Sequence, residues 1–274
     1  MRVTLNSALT NKAIFSAGFS AARASLIAIA LAAPMTLLVS APVNAAGASV
    51  ALESPQIDTS NQKSLQRGAK AYVNYCMGCH SADYQRYSRM AQDLGLSEED
   101  VANNLIFTTD KAGEPTKVGS LMVNNMTEDY GRNSFGVVPP NLALTARSRG
   151  EDWIYTYLKT FYLDEGRGGV GVNNLVYPGA AMPHVLWEQQ GWKKPIYEGE
   201  GAEKHFVGFE TVTEGTLNEQ QYDALITDIT AFMSYMADPI KQTRHRIGMF
   251  VMLFLLVLTV ISYFLKKEYW KDVI

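Results

Sequence analysis

The sequence predicts a mainly α-helical domain with long loops, followed by one transmembrane helix near the C-terminus. Three observations support this fold class. Apolar residues recur at helical spacing in the middle of the chain, segments rich in Gly and Pro separate them, and a long uncharged apolar stretch lies near the C-terminus. With 274 residues, 47% hydrophobic and 19% charged, the chain has ample material for a buried core and is not globally disordered.

Three helices are predicted in the first two thirds of the body. Residues 64–75 and 151–162 place apolar side chains three and four positions apart, as an amphipathic helix requires. Ser97 precedes three acidic residues and predicts the start of a short helix that runs toward residue 107. Residues 110–141 contain many Gly and Pro residues and are predicted to be mostly loop.

A hairpin and a last helix are predicted to complete the body. Short alternating runs in residues 188–215 are compatible with a small hairpin. Thr216 and Glu219 have the spacing of a capping box, and the apolar periodicity after them predicts a helix that ends before Pro239. The segment 46–240 is therefore predicted to be one domain.

Residues 1–45 have the features of a cleaved export signal. They contain three basic residues and no acidic one, and the apolar run at 26–39 is followed by the small-x-small pattern Val43-Asn44-Ala45. The run is shorter than the roughly 20 residues of a membrane helix. We expect cleavage near Ala45 or Ala46, with the body outside the cytoplasm.

Residues 241–274 are predicted to be a single-pass membrane anchor with a short cytoplasmic tail. The segment 247–265 contains no charged residue, and Lys and Arg residues flank it on both sides. Lipid offers no hydrogen-bond partner to the backbone, so such a segment is stable there only as a helix. Membrane lipid is thus one predicted partner.

The charge of the body limits its partners. Residues 46–240 hold 15 basic and 25 acidic residues, a net charge of −10, whereas the two ends are positive. This charge makes nucleic acid an improbable partner and fits either a basic protein partner or a solvated surface.

Both cysteines of the chain lie in Cys76-Met77-Gly78-Cys79-His80, the attachment pattern of a c-type haem. At this spacing on a helix, the two thiols face one side and can form thioethers with the haem vinyl groups, and His80 can bind the iron. Two cysteines exclude a disulfide scaffold, a four-cysteine zinc site and a cysteine-ligated iron–sulfur cluster. A thioredoxin-like dithiol is disfavoured, since His80 follows at once and no βαβ pattern surrounds the motif. One motif predicts one covalently attached haem c.

The residues alone leave more than one candidate for the second axial ligand of the iron. Met182 is favoured, because the loop 177–183 combines Pro and small residues about 100 positions after His80. His184 is the second choice, and a packed loop without a ligand stays open. Methionine, histidine or an open position would respectively indicate a high-potential carrier, a low-potential carrier, or a gas-binding or catalytic site. The other methionines considered are Met90, Met122 and Met126.

Four segments in order resemble the cytochrome c1 family, the haem subunits of quinol–cytochrome c oxidoreductase (cytochrome bc1) complexes. They are residues 75–81 around the attachment motif, residues 139–152, the loop 177–183, and residues 237–248 that lead into the apolar span. The resemblance is to the bacterial type. It implies a class I cytochrome c-like haem domain on the periplasmic side of the inner membrane, in a subunit that transfers electrons and is not an enzyme by itself.

The resemblance also implies roles for individual residues. Met182 becomes the axial ligand opposite His80, and Arg149 pairs with a haem propionate. Pro139 and Pro140 form an apolar wall beside the haem. The family's Pro-Pro-Asp-Leu-Ser reads Pro-Pro-Asn-Leu-Ala here, which leaves the hydrogen bonding of the loop at Asn141 open.

The partners follow from the same resemblance. Cytochrome b and the Rieske iron–sulfur protein belong to the complex, the Rieske protein donates the electron, and a soluble or tethered cytochrome c accepts it. Two alternatives are an anchored cytochrome c that donates to a terminal oxidase, and a haem sensor or catalytic haem protein with an open sixth site.

Overall fold

The fold is described from a computed structural model over residues 50–110, 112–199 and 205–272. The predicted export signal at residues 1–45 lies outside these described residues. The helices within them are α1 (Gln62–Ala71), α2 (Tyr87–Leu94), α3 (Glu98–Asn104), α4 (Glu128–Phe135), α5 (Thr145–Arg149), α6 (Glu151–Lys159), α7 (Trp187–Gln190), α8 (Glu219–Ala237) and α9 (Lys241–Tyr269). A π-helical turn, Tyr72–Cys76, continues α1.

The strands form small antiparallel pairs between the helices. They are β1 (Ala82–Arg86), β2 (Leu121–Met122), β3 (Phe161–Leu163), β4 (Val172–Asn174), β5 (Gly191–Glu198) and β6 (His205–Glu214). They form three separate two-stranded sheets, in which β1 pairs with β2, β3 with β4, and β5 with β6. The β5–β6 pair confirms the predicted hairpin, and helices provide most of the buried core.

The core is organised around the crossing of α1 and α8. Gly68 of α1 faces the backbone of Asp228, where a Cβ atom would overlap the carbonyl oxygen. The helices therefore approach more closely than side chains would permit. One turn further, the rings of Tyr72 and Phe232 pack with centroids 5.6 Å apart. Because Tyr72 opens the π-helical turn, this crossing positions the turn that carries Cys76.

Asp228 fastens the same crossing through its carboxylate. One carboxylate oxygen accepts a hydrogen bond from the Ser64 hydroxyl at 2.6 Å, and the Arg67 guanidinium donates to both oxygens at 2.6 and 2.8 Å. Asp228 is buried, and the Arg67 side chain is 61% exposed. A buried carboxylate is costly unless it is paired in this way. The bidentate contact satisfies that requirement and keeps α1 in register with α8.

The start of α8 corrects one sequence prediction. Asn218, not Thr216, is the N-cap residue. Its side chain accepts from the backbone N–H of Gln221, whose side chain accepts from the backbone N–H of Asn218. Thr216 and Glu219 have the spacing of a capping box, but the helix begins two residues later than that pair predicts. The box that forms is Asn-x-x-Gln, which satisfies the same unpaired N–H groups.

The other predicted helices form, with shorter ends. Ser97 caps α3, which stops at Asn104 rather than near residue 107. Helix α6 stops at Lys159, because Phe161 pairs with Asn174 in the β3–β4 ladder. The predicted loop over 110–141 contains the eight-residue helix α4, whose N-cap is Thr127.

Helix α9 confirms the predicted apolar span and extends it on both sides. It has 29 residues, and its most apolar 18-residue window has a mean hydropathy of 2.5. None of the residues in that window is buried by the rest of the protein. Within the described residues, α9 is the one helix that is long and apolar enough to cross a membrane, as the sequence predicts for the C-terminal anchor.

Candidate haem site

The π-helical turn presents the attachment motif at the end of α1. The backbone N–H of Met77 donates to the carbonyl of Tyr72 at 2.9 Å, and those of Cys79 and His80 donate to the carbonyl of Cys76 at 3.1 and 2.9 Å. Both cysteines are free thiols. Burial raises the pKa of Cys76 to about 12 and also raises that of Cys79. The two sulfurs form no disulfide with each other, so both are available for thioether formation.

His80 is buried and held in one tautomer. Its Nδ1 atom lies 2.7 Å from the carbonyl oxygen of Pro140. A carbonyl oxygen only accepts, so Nδ1 carries the proton and Nε2 keeps its lone pair. Burial lowers the pKa of His80, which favours the neutral imidazole. An axial iron ligand needs this state, and a hydrogen bond at the other ring nitrogen orients such a ligand. The attachment residues therefore fit a covalently bound haem.

The proline loop reaches the motif through its backbone. Pro139 is half-buried and Pro140 is exposed, and the carbonyl of Pro140 is the atom that binds His80. The backbone N–H of Leu142 donates to the carbonyl of Ser81 at 2.9 Å. The side-chain oxygen of Asn141 accepts from the N–H of Ala143 at 2.8 Å, which an Asp would do equally well. The Asn141 departure from the family pattern therefore leaves this turn intact.

Met182 lies in a loop that is fastened before it. The guanidinium of Arg167 donates to the carbonyls of Gly179 and Ala180 at 3.0 and 2.6 Å. The Met182 side chain is half-buried, and its sulfur lies 3.5 Å from the hydroxyl of Tyr157. Tyr157 belongs to α6, so this contact joins the Met182 loop to a helix of the core.

An array of aromatic rings extends from both sides of Tyr157. Trp153 stacks on it with centroids 4.9 Å apart, and the exposed Arg149 places its guanidinium over Trp153 at 5.3 Å. On the other side, Phe161 meets Tyr157 edge-on at 5.0 Å and stacks on His184 at 5.1 Å. The aromatic array therefore consists of Trp153, Tyr157, Phe161 and His184. Through it, Arg149 and Met182 both lie against side chains of α6.

His184, the second candidate ligand, is buried within that array. Trp192 meets its ring edge-on at 5.8 Å, opposite Phe161. Burial lowers the pKa of His184 to about 4, so the ring is neutral at physiological pH. Its Nε2 atom has no hydrogen-bond partner among the described residues.

A surface cavity of about 590 Å³ adjoins the attachment loop. Met77 and Gly78 line it, together with residues that include Phe107, Met126 and Tyr130. None of the predicted axial ligands is among its lining residues. Tyr130 belongs to α4, which brings the acidic first turn of that helix beside the motif. The sequence alone did not indicate this proximity.

The fold and the site define a c-type cytochrome with a helical haem domain and one C-terminal membrane helix. The model of the Cytochrome C1 family matches residues 53–273. The chain belongs to the cytochrome c1 family. It is 47% identical to cytochrome c1 of Allochromatium vinosum, over 89% of this chain and 96% of that protein. It is 40% identical to the protein named ammonia monooxygenase gamma subunit of Nitrosomonas europaea, over 84% of this chain and 92% of that one.

A solved chain from a structure titled hyperthermophilic respiratory Complex III is also similar. The match covers 91% of this chain and 98% of that chain, at 15% identity and a TM-score of 0.42. The fold assignment is therefore based on the family model and the two relatives, and not on this structure.

Family membership confirms the fold class, the single covalently attached c-type haem and the function expected from the sequence. The protein is the haem subunit that carries electrons within a bc1-type complex, and it is not an enzyme by itself. Cytochrome b and the Rieske iron–sulfur protein are its partners in that assembly.

Proposed function

We propose that Cys76 and Cys79 hold the haem through two thioether bonds and that His80 binds its iron. The observation that carries this proposal is the hydrogen bond between His80 Nδ1 and the carbonyl of Pro140 at 2.7 Å. That bond leaves Nε2 as the metal-binding atom directly after two free thiols. When bound, the haem supplies a one-electron iron couple. The role of the chain is to attach it, orient its ligands and exclude water from them.

Met182 is the second axial ligand in this proposal. Its sulfur is the soft donor that raises the potential of a haem relative to a second histidine. Arg149 pairs with a haem propionate. Its guanidinium lies over Trp153, and no carboxylate in the described part of the chain pairs with it. Pro139 and Pro140 border the same site, with Pro140 acting through its carbonyl as well.

The chain is proposed to cross the inner membrane of a bacterium once. Residues 1–45 act as the cleaved export signal, residues 46–240 form the periplasmic haem domain, and residues 241–274 form the anchor with a short cytoplasmic tail. The uncovered apolar side chains of α9 contact membrane lipid. The electron arrives from the Rieske protein and leaves to a soluble or tethered cytochrome c.

The acceptor is proposed to present a basic face. The body has a net charge of −10, and Glu128 and Asp129 are exposed in the first turn of α4. Thr127 and Tyr130, on either side of them, line the cavity beside the attachment loop. Acidic side chains beside an electron-transfer site attract a basic partner and raise its association rate.

Electron transfer to a basic cytochrome c is therefore expected to slow as salt is added. Because ions screen exposed charges within about 10 Å at 0.1 M, the second-order rate should fall about tenfold or more between low and high ionic strength. Stopped-flow measurement with the solubilised complex provides the rate. A rate that does not depend on ionic strength contradicts the basic acceptor.

A matched pair of charge variants locates the effect. Glu128→Gln with Asp129→Asn should lower the rate at low salt and flatten its salt dependence. Glu210→Gln with Glu214→Gln removes the same charge from β6, which does not line the cavity. This control should keep most of the original rate. Equal loss in both pairs would show that only the net charge matters.

A further inference from the structure

The hydroxyl of Tyr157 lies 3.5 Å from the sulfur of Met182. A thioether sulfur only accepts hydrogen bonds, so the phenol is the donor. We propose that Tyr157 is a positioning residue that donates a hydrogen bond to the Met182 sulfur and thereby raises the midpoint potential of the haem. This inference rests on the proposed role of Met182 as an axial ligand.

The packing around Tyr157 fixes the direction of its hydroxyl. Trp153 covers one face of the ring at an interplanar angle of 8°, and Phe161 meets it at 72°. These residues stand four apart along the chain, so α6 and the start of β3 hold all three rings in a row. A phenol hydroxyl is protonated in the physiological pH range, so it can act as the donor.

The loop that carries the acceptor, Met182, is also held in place. Before Met182, Arg167 binds the carbonyls of Gly179 and Ala180. After it, His184 stacks on Phe161, the ring that also borders Tyr157. The loop is thus fastened on both sides of Met182, and one side uses the array that holds the tyrosine. The backbone on both sides of Met182 is therefore held in place relative to the Tyr157 ring.

The direction of the effect follows from electron donation. A hydrogen bond draws density from the sulfur lone pairs, so the thioether donates less to the iron. Weaker donation favours the reduced, less charged iron and raises the potential. A buried hydrogen bond contributes enough to change an equilibrium about two- to tenfold. Removing the bond should therefore lower the ratio of reduced to oxidised protein at a fixed ambient potential by about that factor.

The test is a redox titration of the assembled complex that carries Tyr157→Phe. The variant keeps the ring and its stacking and removes only the hydroxyl. Tyr222→Phe is the matched control. The buried hydroxyl of Tyr222 donates to the carbonyl of Leu158 at 2.8 Å, so it also binds α6, the helix of Tyr157, but it does not bind Met182. The methionine-to-iron charge-transfer band of the oxidised protein is recorded in parallel.

The proposal predicts that Tyr157→Phe keeps the charge-transfer band, at a shifted position, and lowers the ratio of reduced to oxidised protein at a fixed ambient potential about two- to tenfold. The control should change neither. An unchanged potential in Tyr157→Phe overturns the inference while leaving Met182 as a ligand, provided that the original protein shows the band. An equal fall in both variants overturns it as well. Absence of the band from the original protein overturns the ligation and the inference together.

Discussion

Replacing Met182 with leucine is expected to lower the midpoint potential and to open the iron to carbon monoxide. Leucine is close to methionine in volume, so the change costs little packing energy, on the order of 1 kcal/mol. It removes the only group in the side chain that can bind a metal. Since axial ligands set haem potentials over a range of about 0.8 V, we expect a fall on the order of a tenth of a volt or more. Redox titration and carbon monoxide binding to the reduced protein provide the measurements.

The control for this variant is Met90→Leu, which makes the same change at a methionine that is fully buried in α2. It should leave the potential and the carbon monoxide response unchanged. If Met182→Leu has the original potential and binds no carbon monoxide, Met182 is not the ligand. His184 would then be the residue to replace next, because its buried Nε2 atom lacks a hydrogen-bond partner among the described residues.

Replacing Gly68 with alanine is expected to destabilise the haem domain, although alanine favours helices. The added Cβ would overlap the carbonyl of Asp228 and approach Phe232, so α1 and α8 would have to separate. Because the obstacle is backbone, the cost lies in the upper part of the range for overpacking, about 2–3 kcal/mol, and helix propensity offsets about 1 kcal/mol of it, which leaves about 1–2 kcal/mol. For a domain of this size the unfolding temperature should fall by roughly 2–8 °C.

Calorimetry of the solubilised haem-loaded protein measures this change. Gly119→Ala is the control, because no atom of the described residues lies within 4 Å of the position of its Cβ and its backbone is not in the left-handed region. It should leave the unfolding temperature within about 2 °C of the original. A Gly68→Ala protein as stable as this control would show that the two helices are not in close contact.

Local sequence patterns predicted most of the fold. Apolar residues at helical spacing marked α1, α6 and α8, and an uncharged stretch marked α9, because burial or lipid dictates the residue type at each position of such segments. The exact ends were less predictable. Helix α6 stops early because Phe161 joins a strand, and that depends on Asn174, a partner distant in sequence. Helix α2 was not predicted, and its first residue follows β1 directly.

The site was predictable only where its chemistry is local. The attachment motif is contiguous, so its two thiols and His80 could be identified from spacing alone. The partner of His80 is the carbonyl of Pro140, 60 residues later, and a backbone group has no signature in the sequence. The sequence did not indicate a role for Tyr157, because its position in the apolar periodicity of residues 151–162 equally fits a residue that only packs in the core. Only the fold shows that its hydroxyl points to Met182.

Intact-mass spectrometry of the mature, denatured protein tests the central claim most directly. If Cys76 and Cys79 hold the haem covalently, the measured mass exceeds that of the polypeptide by one haem, and acidified acetone extracts no colour. Cys79→Ala should retain at most one thioether. A mature protein with the bare polypeptide mass, or one whose colour passes entirely into acidified acetone, would contradict the assignment of the attachment site.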